Sequence, residues 1–375
     1  MPSMLDTVDP DGLEEFSVVF TDRSLNHMSV KFQGVMRDIS EMLKQVYGAD
    51  GVAVIPGGGT YGMEAVARQF ARGANVLVVR NGWFSYRWSQ IIESADLTAS
   101  ATVLTARETG NVSPSPFAPA PIEDVVAAIR EHKPDVVFAP HVETSAGVIL
   151  PDAYIKAMAA AAHEVGGLMV LDCIASGCVW IDMKALGVDV LISAPQKGWS
   201  ASPCAGLIML SERAEERLEQ TQSDSFTIDL KKWRQIMQAY ENGGHAYHAT
   251  MPTDALLSFR DTMAETQSYG FDRLRDAQWD LGNGVRAMLK DKGIMSVAAD
   301  GFGAPGVVVS YTSDPDIQNG RKFAASGMQI AAGVPLQCNE PEDFRTFRLG
   351  LFGLDKLYDV DGTIARLGRV LDQVL

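Results

Sequence analysis

The stretch VDVLISAPQKGWSASPCAG, Val188–Gly206, contains a short apolar run that leads into a loop with a single lysine, Lys197. A second apolar run, Gly206–Leu210, follows this loop directly. Short runs rich in Val, Ile and Leu are typical of buried strands. The stretch therefore predicts two strands, Val188–Ser193 and Gly206–Leu210, joined by a loop that presents Lys197.

The chain before this stretch alternates between strand patterns and amphipathic helical patterns from residue 30 onward. The predicted strands are Val52–Ile55, Asn75–Val79, Thr102–Thr105, Asp135–Ala139 and Leu168–Leu171. The predicted helices are Val30–Tyr47, Gly62–Arg72, Pro121–Glu131 and Asp152–Val165. This alternation indicates an α/β fold in which helices cover both faces of a mostly parallel sheet.

The C-terminal third has a different pattern. Helical periodicity covers Trp233–Glu241 and then a long segment without proline, Thr253–Lys292, that would bridge two domains. A strand at Gly306–Tyr311 and a helix at Thr363–Val374 predict a small α+β domain. We therefore predict an N-terminal segment (1–25), a large domain (26–255) and a small C-terminal domain (256–375).

Composition excludes several classes of function. The 375 residues are 46% hydrophobic and carry a formal net charge of -15, with no basic run to replace the counterions of a nucleic acid. The N-terminus lacks the pattern of a signal peptide, and no apolar run approaches the ~20 residues that span a bilayer. The four cysteines show no CxxC pair and no disulfide density, so we expect a cytoplasmic protein.

Lys197 is the first candidate for chemistry. A turn at the end of a buried strand partly desolvates a lysine and lowers its pKa, which suits it to form a Schiff base with the aldehyde of a cofactor. The alternative is a solvated surface lysine.

Asp172 is the second candidate, at the end of the apolar strand LMVLD, Leu168–Asp172. A carboxylate there needs a cation, and a protonated pyridine nitrogen would supply one. The alternative is a carboxylate that caps a helix.

The segment PGGGTYGME, Pro56–Glu64, places three glycines between a strand and a helix. Glycines at a helix N-terminus let backbone N–H groups point at an anion such as a phosphate. Such turns also occur for purely geometric reasons, but this one matches neither the P-loop nor the dinucleotide pattern.

Two further segments hold candidate contacts. NGWF, Asn81–Phe84, offers an aromatic ring that would stack on a pyridine or simply pack in the core. FRLGLFG, Phe347–Gly353, places Arg348 in an apolar run, where it would bind a substrate carboxylate or pair with Asp343 or Glu342.

Together these motifs, with ETSAG at Glu143–Gly147 and Gln196-Lys197, follow the order found in class V aminotransferases. From about Asn26 onward the chain resembles the alanine–glyoxylate and serine–glyoxylate branch of that family. The resemblance implies the fold type I architecture of transferases that depend on pyridoxal 5'-phosphate. It also implies an aminotransferase that moves an amino group from a small amino acid, of the alanine or serine type, to a small 2-oxo acid such as glyoxylate or pyruvate.

The resemblance also implies roles for individual residues. Lys197 would be the catalytic Schiff-base lysine and Asp172 the partner of the pyridine nitrogen. Phe84, rather than Trp83, would stack on the ring, Thr144 would lie near the phenolic oxygen, and Arg348 would bind the substrate carboxylate. The phosphate would be held by Gly58, Gly59, Thr60 and Gln196.

The family is usually a homodimer with shared active sites. The segment YHATMP, Tyr247–Pro252, resembles a piece that one subunit donates to the other, so Tyr247 and Thr250 would contact the neighbour's phosphate. Two departures affect the substrate side. The N-terminus lacks the PGPT-type opening of the family, and Asn26 stands where the family often has glycine, so we expect Asn26 to border the substrate.

Three other functions remain open at this stage. A lyase or desulfurase of the same fold would use a cysteine, and Cys338 is the candidate. We interpret it as a structural thiol, because it precedes Arg348 by only ten residues and because desulfurases typically have His-Lys in place of Gln196-Lys197. A binding module without catalysis is the second alternative. The third, a metal site, is the least expected of the three, since the histidines do not have the spacing of metal ligands.

Overall fold

The computed structural model describes residues 8–111 and 114–375. The first seven residues of the predicted N-terminal segment therefore lie outside the described part of the chain.

The described residues form a central sheet and three smaller ones. Their strands are β1 (Gly51–Pro56), β2 (Asn75–Arg80), β3 (Ser100–Thr105), β4 (Arg107–Glu108), β5 (Phe117–Ala118), β6 (Val136–Pro140), β7 (Val142–Glu143), β8 (Val148–Ile149), β9 (Leu168–Asp172), β10 (Val190–Ser193), β11 (Ala205–Leu210), β12 (Val307–Tyr311), β13 (Ala331–Ala332) and β14 (Thr346–Gly350).

Helices connect these strands. They are α1 (Val30–Tyr47), α2 (Gly59–Phe70), α3 (Trp83–Ser94), α4 (Ile122–His132), α5 (Asp152–Glu164), α6 (Met183–Leu186), α7 (Glu212–Gln220), α8 (Leu230–Glu241), α9 (Thr253–Tyr269), α10 (Phe271–Asp291), α11 (Pro315–Gln318), α12 (Arg321–Ala325), α13 (Leu354–Leu357) and α14 (Val360–Val374).

The central sheet has seven strands in the order β1-β11-β10-β9-β6-β2-β3. Strand β11 is antiparallel to both of its neighbours, and the remaining pairs are parallel. The seven strands predicted from the sequence all lie in this sheet, which confirms the α/β class. Its inner strands are buried along almost their whole length, as expected for a parallel sheet with helices on both faces.

The long helical segment predicted at Thr253–Lys292 is not one helix. It breaks at Gly270, whose φ of 105° lies in the region that favours glycine. Before the break, α9 contributes Leu256, Phe259 and Met263 to the core around the central sheet. After it, α10 packs into a second core with α14 and the sheet β12-β14-β13. The boundary between the two cores thus lies within this segment. The domain boundary at 255/256 stays a prediction.

Candidate active site

The carboxyl ends of β6, β9 and β10 meet at one edge of the central sheet. Asp172, the last residue of β9, lies beside Pro140 on one neighbouring strand and Ile192 on the other. The loop after β10 carries Lys197, and Gly198 in that loop lies against Gly177. A Cβ atom at Gly198 would come within 2.1 Å of the Gly177 carbonyl oxygen, so this close approach requires glycine. Ligands of parallel α/β sheets bind at this edge.

Asp172 is buried, with 7% of its surface exposed, and few groups of the described chain stabilise its negative charge. Its Oδ1 atom accepts one hydrogen bond, from the Ile174 amide at 2.9 Å. No cation of the described residues lies within ion-pair distance. Burial raises the pKa of Asp172 to about 7, and the charge of Glu143 adds to the rise, while Lys197 opposes it. A cation bound beside this carboxylate would therefore be stabilised by it.

Lys197 is partly buried, and its amino group has no hydrogen bond or ion pair with any described residue. Burial lowers the pKa of its amino group, Asp172 opposes this effect, and Arg348 and Arg87 lower the pKa further. Its Nζ atom lies 5.2 Å from the centroid of the Phe352 ring. The lowered pKa favours the neutral amine, the state in which lysine can act as a nucleophile or a base.

The glycine turn lies between β1 and α2. Gly57 has a φ of 124°, and Tyr61 and Gly62 both donate backbone hydrogen bonds to the Gly58 carbonyl, so the helix begins here. Gly59 lies against Ile174, where a Cβ atom would come within 2.5 Å of a side-chain carbon. The first amides of a helix have no partner within it and can bind an anion.

Thr60 and Gln196 supply the side chains predicted for the phosphate. The Thr60 hydroxyl accepts a hydrogen bond from Arg87 at 2.9 Å. The Oε1 atom of Gln196 is buried without a hydrogen-bond partner, which is costly unless a ligand satisfies it.

The carboxylate of Glu143, which is fully buried, joins the segment that contains Phe84 to the segment that contains Thr144. Glu143 accepts hydrogen bonds from backbone amides of both segments and from two hydroxyls, namely the amides of Phe84, Ser85 and Ser145 and the side chains of Ser85 and Ser145. Thr144 itself is 7% exposed. Hydrogen bonds to Glu143 therefore hold together the segment of Phe84, the predicted stacking residue, and the segment of Thr144, the predicted contact for a phenolic oxygen.

Arg348 lies on β14, with its guanidinium 5.4 Å from the centroid of the Phe84 ring. Its Nε atom donates to the Ala332 carbonyl at 2.7 Å. Burial lowers its pKa, and Glu143 opposes that effect. Neither Asp343 nor Glu342, the alternative partners considered from the sequence, lies within ion-pair distance. Most of its donors therefore remain available to an anion.

Asn26, Tyr247 and Thr250 make their hydrogen bonds away from Lys197. The Asn26 amide donates to Glu15 at 2.7 Å and to Ser17 at 3.2 Å. Tyr247 is 53% exposed, and its hydroxyl lies 3.1 Å from that of Thr250. No hydrogen bond, ion pair or ring contact of the described residues joins these three residues to Lys197, Asp172 or Arg348.

Sequence reasoning missed Arg87 and Phe352 as neighbours of Lys197, and assigned no role to Glu143. Arg87 follows Phe84 by three residues in α3, a spacing that places both on one helix face and was therefore available as a signal. Phe352 stands in the segment that contains Arg348, but its contact with Lys197 depends on the packing of the C-terminal part of the chain.

No helix in the described part of the chain has both the length and the apolar character needed to cross a membrane. No group of three or more His, Cys, Asp or Glu side chains there is arranged to hold a metal ion.

Comparison with known proteins places this geometry in a family. The family model for class V aminotransferases matches residues 14–300. Two similar proteins are a 42 kDa soluble hydrogenase subunit from Anabaena cylindrica and alanine–glyoxylate aminotransferase 1 from Saccharomyces cerevisiae. The first is 25% identical over 352 residues, 92% of this chain and 87% of its own. The second is 25% identical over 359 residues, 89% of this chain and 88% of its own.

A solved structure shares the fold. The crystal structure of alanine–glyoxylate aminotransferase from Nostoc sp. superposes with a TM-score of 0.77 at 22% identity, covering 92% of this chain and 89% of the other. The family match includes the glycine turn, the end of β9 and the Lys197 loop. The chain therefore belongs to the class V aminotransferases.

Proposed function

We propose that this enzyme binds pyridoxal 5'-phosphate at Lys197. We further propose that it transfers an amino group from a small amino acid, of the alanine or serine type, to a small 2-oxo acid such as glyoxylate or pyruvate. One observation carries the proposal: the buried carboxylate of Asp172 and the partly buried amine of Lys197 lie at the end of β9 and in the loop after the adjacent parallel strand β10, and neither has an ion-pair partner among the described residues.

The described residues fit the cofactor. The unsatisfied Oε1 atom of Gln196 and the glycine turn suit a phosphate. Asp172 suits a protonated ring nitrogen, and Phe84 offers an aromatic face. We assign the phosphate to Gly58, Gly59, Thr60 and Gln196, the ring to Phe84, Thr144 and Asp172, and the aldehyde to Lys197.

When bound, the cofactor supplies an electron sink that stabilises negative charge at the substrate α-carbon. Asp172 holds the proton on the ring nitrogen, and this keeps the sink effective. Once the substrate amine has displaced it from the aldehyde, Lys197 Nζ would accept the proton from the substrate α-carbon and later donate it back to complete the transfer; its lowered pKa favours the neutral form that accepts this proton. Positioned acid–base catalysis of this kind contributes about 10²- to 10⁴-fold.

Arg348 orients the substrate. Its planar guanidinium binds a carboxylate through two parallel hydrogen bonds, which fixes the α-carbon relative to Lys197. The same contact suits a 2-oxo acid, since both half-reactions present a carboxylate. In our proposal Asn26 borders the substrate and would limit the size of the substrate side chain that the site accepts.

We extend the proposal to a homodimer and to a cytoplasmic enzyme. The exposed hydroxyls of Tyr247 and Thr250 have no contact with their own site and would reach the phosphate of a second copy. An active site shared across a two-fold axis would place both residues there twice. The four cysteines are free and buried, which agrees with a reducing compartment.

The lyase or desulfurase alternative finds less support. Cys338 is buried, and burial raises the pKa of its thiol to about 12. Its sulfur donates to the Arg80 carbonyl at 3.4 Å. A thiol in this state is a poor nucleophile, because the thiolate is the attacking form.

Absorption spectroscopy tests the proposal. Protein reconstituted with pyridoxal phosphate should be yellow, alanine or serine should bleach the band, and glyoxylate or pyruvate should restore it. Lys197→Ala should lack the band, while Lys156→Ala, a change at an exposed helical lysine, should keep it. A colourless reconstituted protein would contradict cofactor binding. Bleaching that no 2-oxo acid reverses would favour a lyase instead.

A further inference from the structure

The phosphate site assigned above contains no charged side chain of its own. Gly58, Gly59, Thr60 and Gln196 supply backbone amides, one hydroxyl and one carboxamide. A phosphate monoester carries a charge of about -1.5 to -2 at neutral pH, and a helix N-terminus provides only about half a positive charge. Most of the phosphate charge would therefore remain unbalanced unless a cation lies nearby.

Arg87 reaches this turn from α3. Its Nη1 atom donates a hydrogen bond to the Thr60 hydroxyl at 2.9 Å. Its guanidinium carbon also lies 5.4 Å from the centroid of the Phe84 ring. Arg87 thus joins the phosphate turn to the residue that we assign to the cofactor ring.

Arg87 is a cation without a counterion in the described chain. No carboxylate there lies within ion-pair distance of it. Arg68 of the neighbouring helix, in contrast, pairs with Glu64 at 2.7 Å and with Asp224 at 2.9 Å. Apart from its bond to Thr60, the Arg87 guanidinium has no hydrogen-bond partner among the described residues, so its other donors are available to a ligand.

The charge of Arg87 acts on the rest of the site as well. It opposes the rise in the pKa of Asp172 and contributes to the fall in the pKa of Lys197. Arg348 also lies near the Phe84 ring, but its hydrogen bond goes to Ala332 on β13, not to the glycine turn. The two arginines therefore serve different parts of the site.

We propose that Arg87 is the cation of the phosphate site and that it sets the preference for the phosphorylated cofactor over pyridoxal. The inference rests on the proposed function, because it presupposes that the turn binds the phosphate of pyridoxal phosphate. Arg87 moves no proton in the reaction; its role is to bind.

Equilibrium dialysis of pyridoxal phosphate and of pyridoxal isolates this role, because the two ligands share the ring and the aldehyde and differ in the phosphate. Arg87→Gln should weaken pyridoxal phosphate binding about 10- to 100-fold, as expected for loss of a charge-assisted hydrogen bond, and leave pyridoxal binding within about twofold. Arg87→Lys should fall between, because it keeps the charge and loses the planar fork. Arg130→Gln, at an exposed ion pair with Glu164, is the matched control and should change neither affinity.

Other outcomes would overturn the inference. If Arg87→Gln weakened the binding of both ligands equally, Arg87 would have a structural role and would not bind the phosphate. Unchanged affinity for pyridoxal phosphate, with weaker binding of aspartate but not of alanine, would assign Arg87 to a second substrate carboxylate. If the wild-type protein bound neither ligand, the proposed function itself would fail. Should Arg87→Gln not fold, the ratio of the two affinities in Arg87→Lys decides the question, and a ratio equal to that of wild type would contradict the inference.

Discussion

Glu143 and Asp172 are two buried carboxylates of the candidate active site, and the chain surrounds them differently. Glu143 accepts five hydrogen bonds from the loops that it joins. Asp172 accepts one, and burial raises its pKa to about 7. A buried carboxylate is stable when donors surround it and costly when they do not. The hydrogen bonds of Glu143 are thus satisfied within the described residues, whereas we propose that the charge of Asp172 is balanced by a ligand.

The largest expected effect concerns Asp172. Asp172→Asn keeps the size of the side chain but removes the charge that would hold a protonated ring nitrogen. We expect the single-turnover rate with alanine to fall by about a hundred- to a thousandfold, the range found when one preorganised electrostatic contact is lost. The far-ultraviolet circular dichroism should not change. A rate within a few-fold of wild type would remove Asp172 from the site.

Stability against pH offers a second test, in the cofactor-free protein. The pKa of Asp172 rises from 3.8 to about 7 on folding, so the folded state binds more protons between these values than the unfolded state. Its contribution to stability is fully present below pH 3.8 and is lost as the pH rises through about 7. The loss amounts to at most about 4 kcal/mol, at about 1.4 kcal/mol per pH unit.

Urea unfolding at a series of pH values measures this contribution as the difference between wild type and Asp172→Asn, which lacks the titrating group. Bound pyridoxal phosphate should flatten the difference, because its cation would lower the pKa of Asp172. A difference that does not change between pH 4 and pH 8 would show that Asp172 is not held protonated.

Substitution of Glu143 should lower the free energy of unfolding more than it lowers the catalytic rate. In Glu143→Gln the amide nitrogen would face amide and hydroxyl donors and could accept from none of them. Leaving buried donors unsatisfied costs about 1–3 kcal/mol each, so we expect unfolding free energy to fall by about 3 kcal/mol. Urea unfolding checks this value. A stability equal to wild type would show that the hydrogen bonds of Glu143 are replaceable, and the contrast with Asp172 would disappear.

The smallest effect is expected at Ser145. Its hydroxyl donates to Glu143 at 2.7 Å and accepts from the Trp83 amide at 2.9 Å. Ser145→Ala leaves the other hydrogen bonds of Glu143 in place, so the loss should be about 1 kcal/mol. Thermal unfolding of this variant beside Glu143→Gln gives the comparison. A loss as large as that of Glu143→Gln would mean that the hydroxyl, rather than the carboxylate, joins the two loops.

Much of the fold could be predicted because its evidence is local. Most strands of the central sheet are short apolar runs, Asp172 ends one of them, and Lys197 lies in the loop after another. The break at Gly270 was missed because glycine in a helical pattern does not by itself show a positive φ.

The site was only partly predictable, because several of its contacts depend on packing between distant segments. Phe352 lies over Lys197 only because the C-terminal part packs on the loop after β10. The hydrogen bond between Arg87 and Thr60 joins two helices that the sequence separates by a strand. The Asn26 amide donates hydrogen bonds to Glu15 and Ser17, and no motif in the N-terminal segment predicted these contacts.

Attachment of pyridoxal phosphate to Lys197 is tested most directly by reductive trapping. The reconstituted protein is treated with borohydride, digested, and mapped by mass spectrometry. We predict a single reduced cofactor label on the peptide that contains Lys197, and no label on that peptide in Lys197→Ala. A label on another lysine, or no label on a protein that binds the cofactor, would contradict the assignment of Lys197.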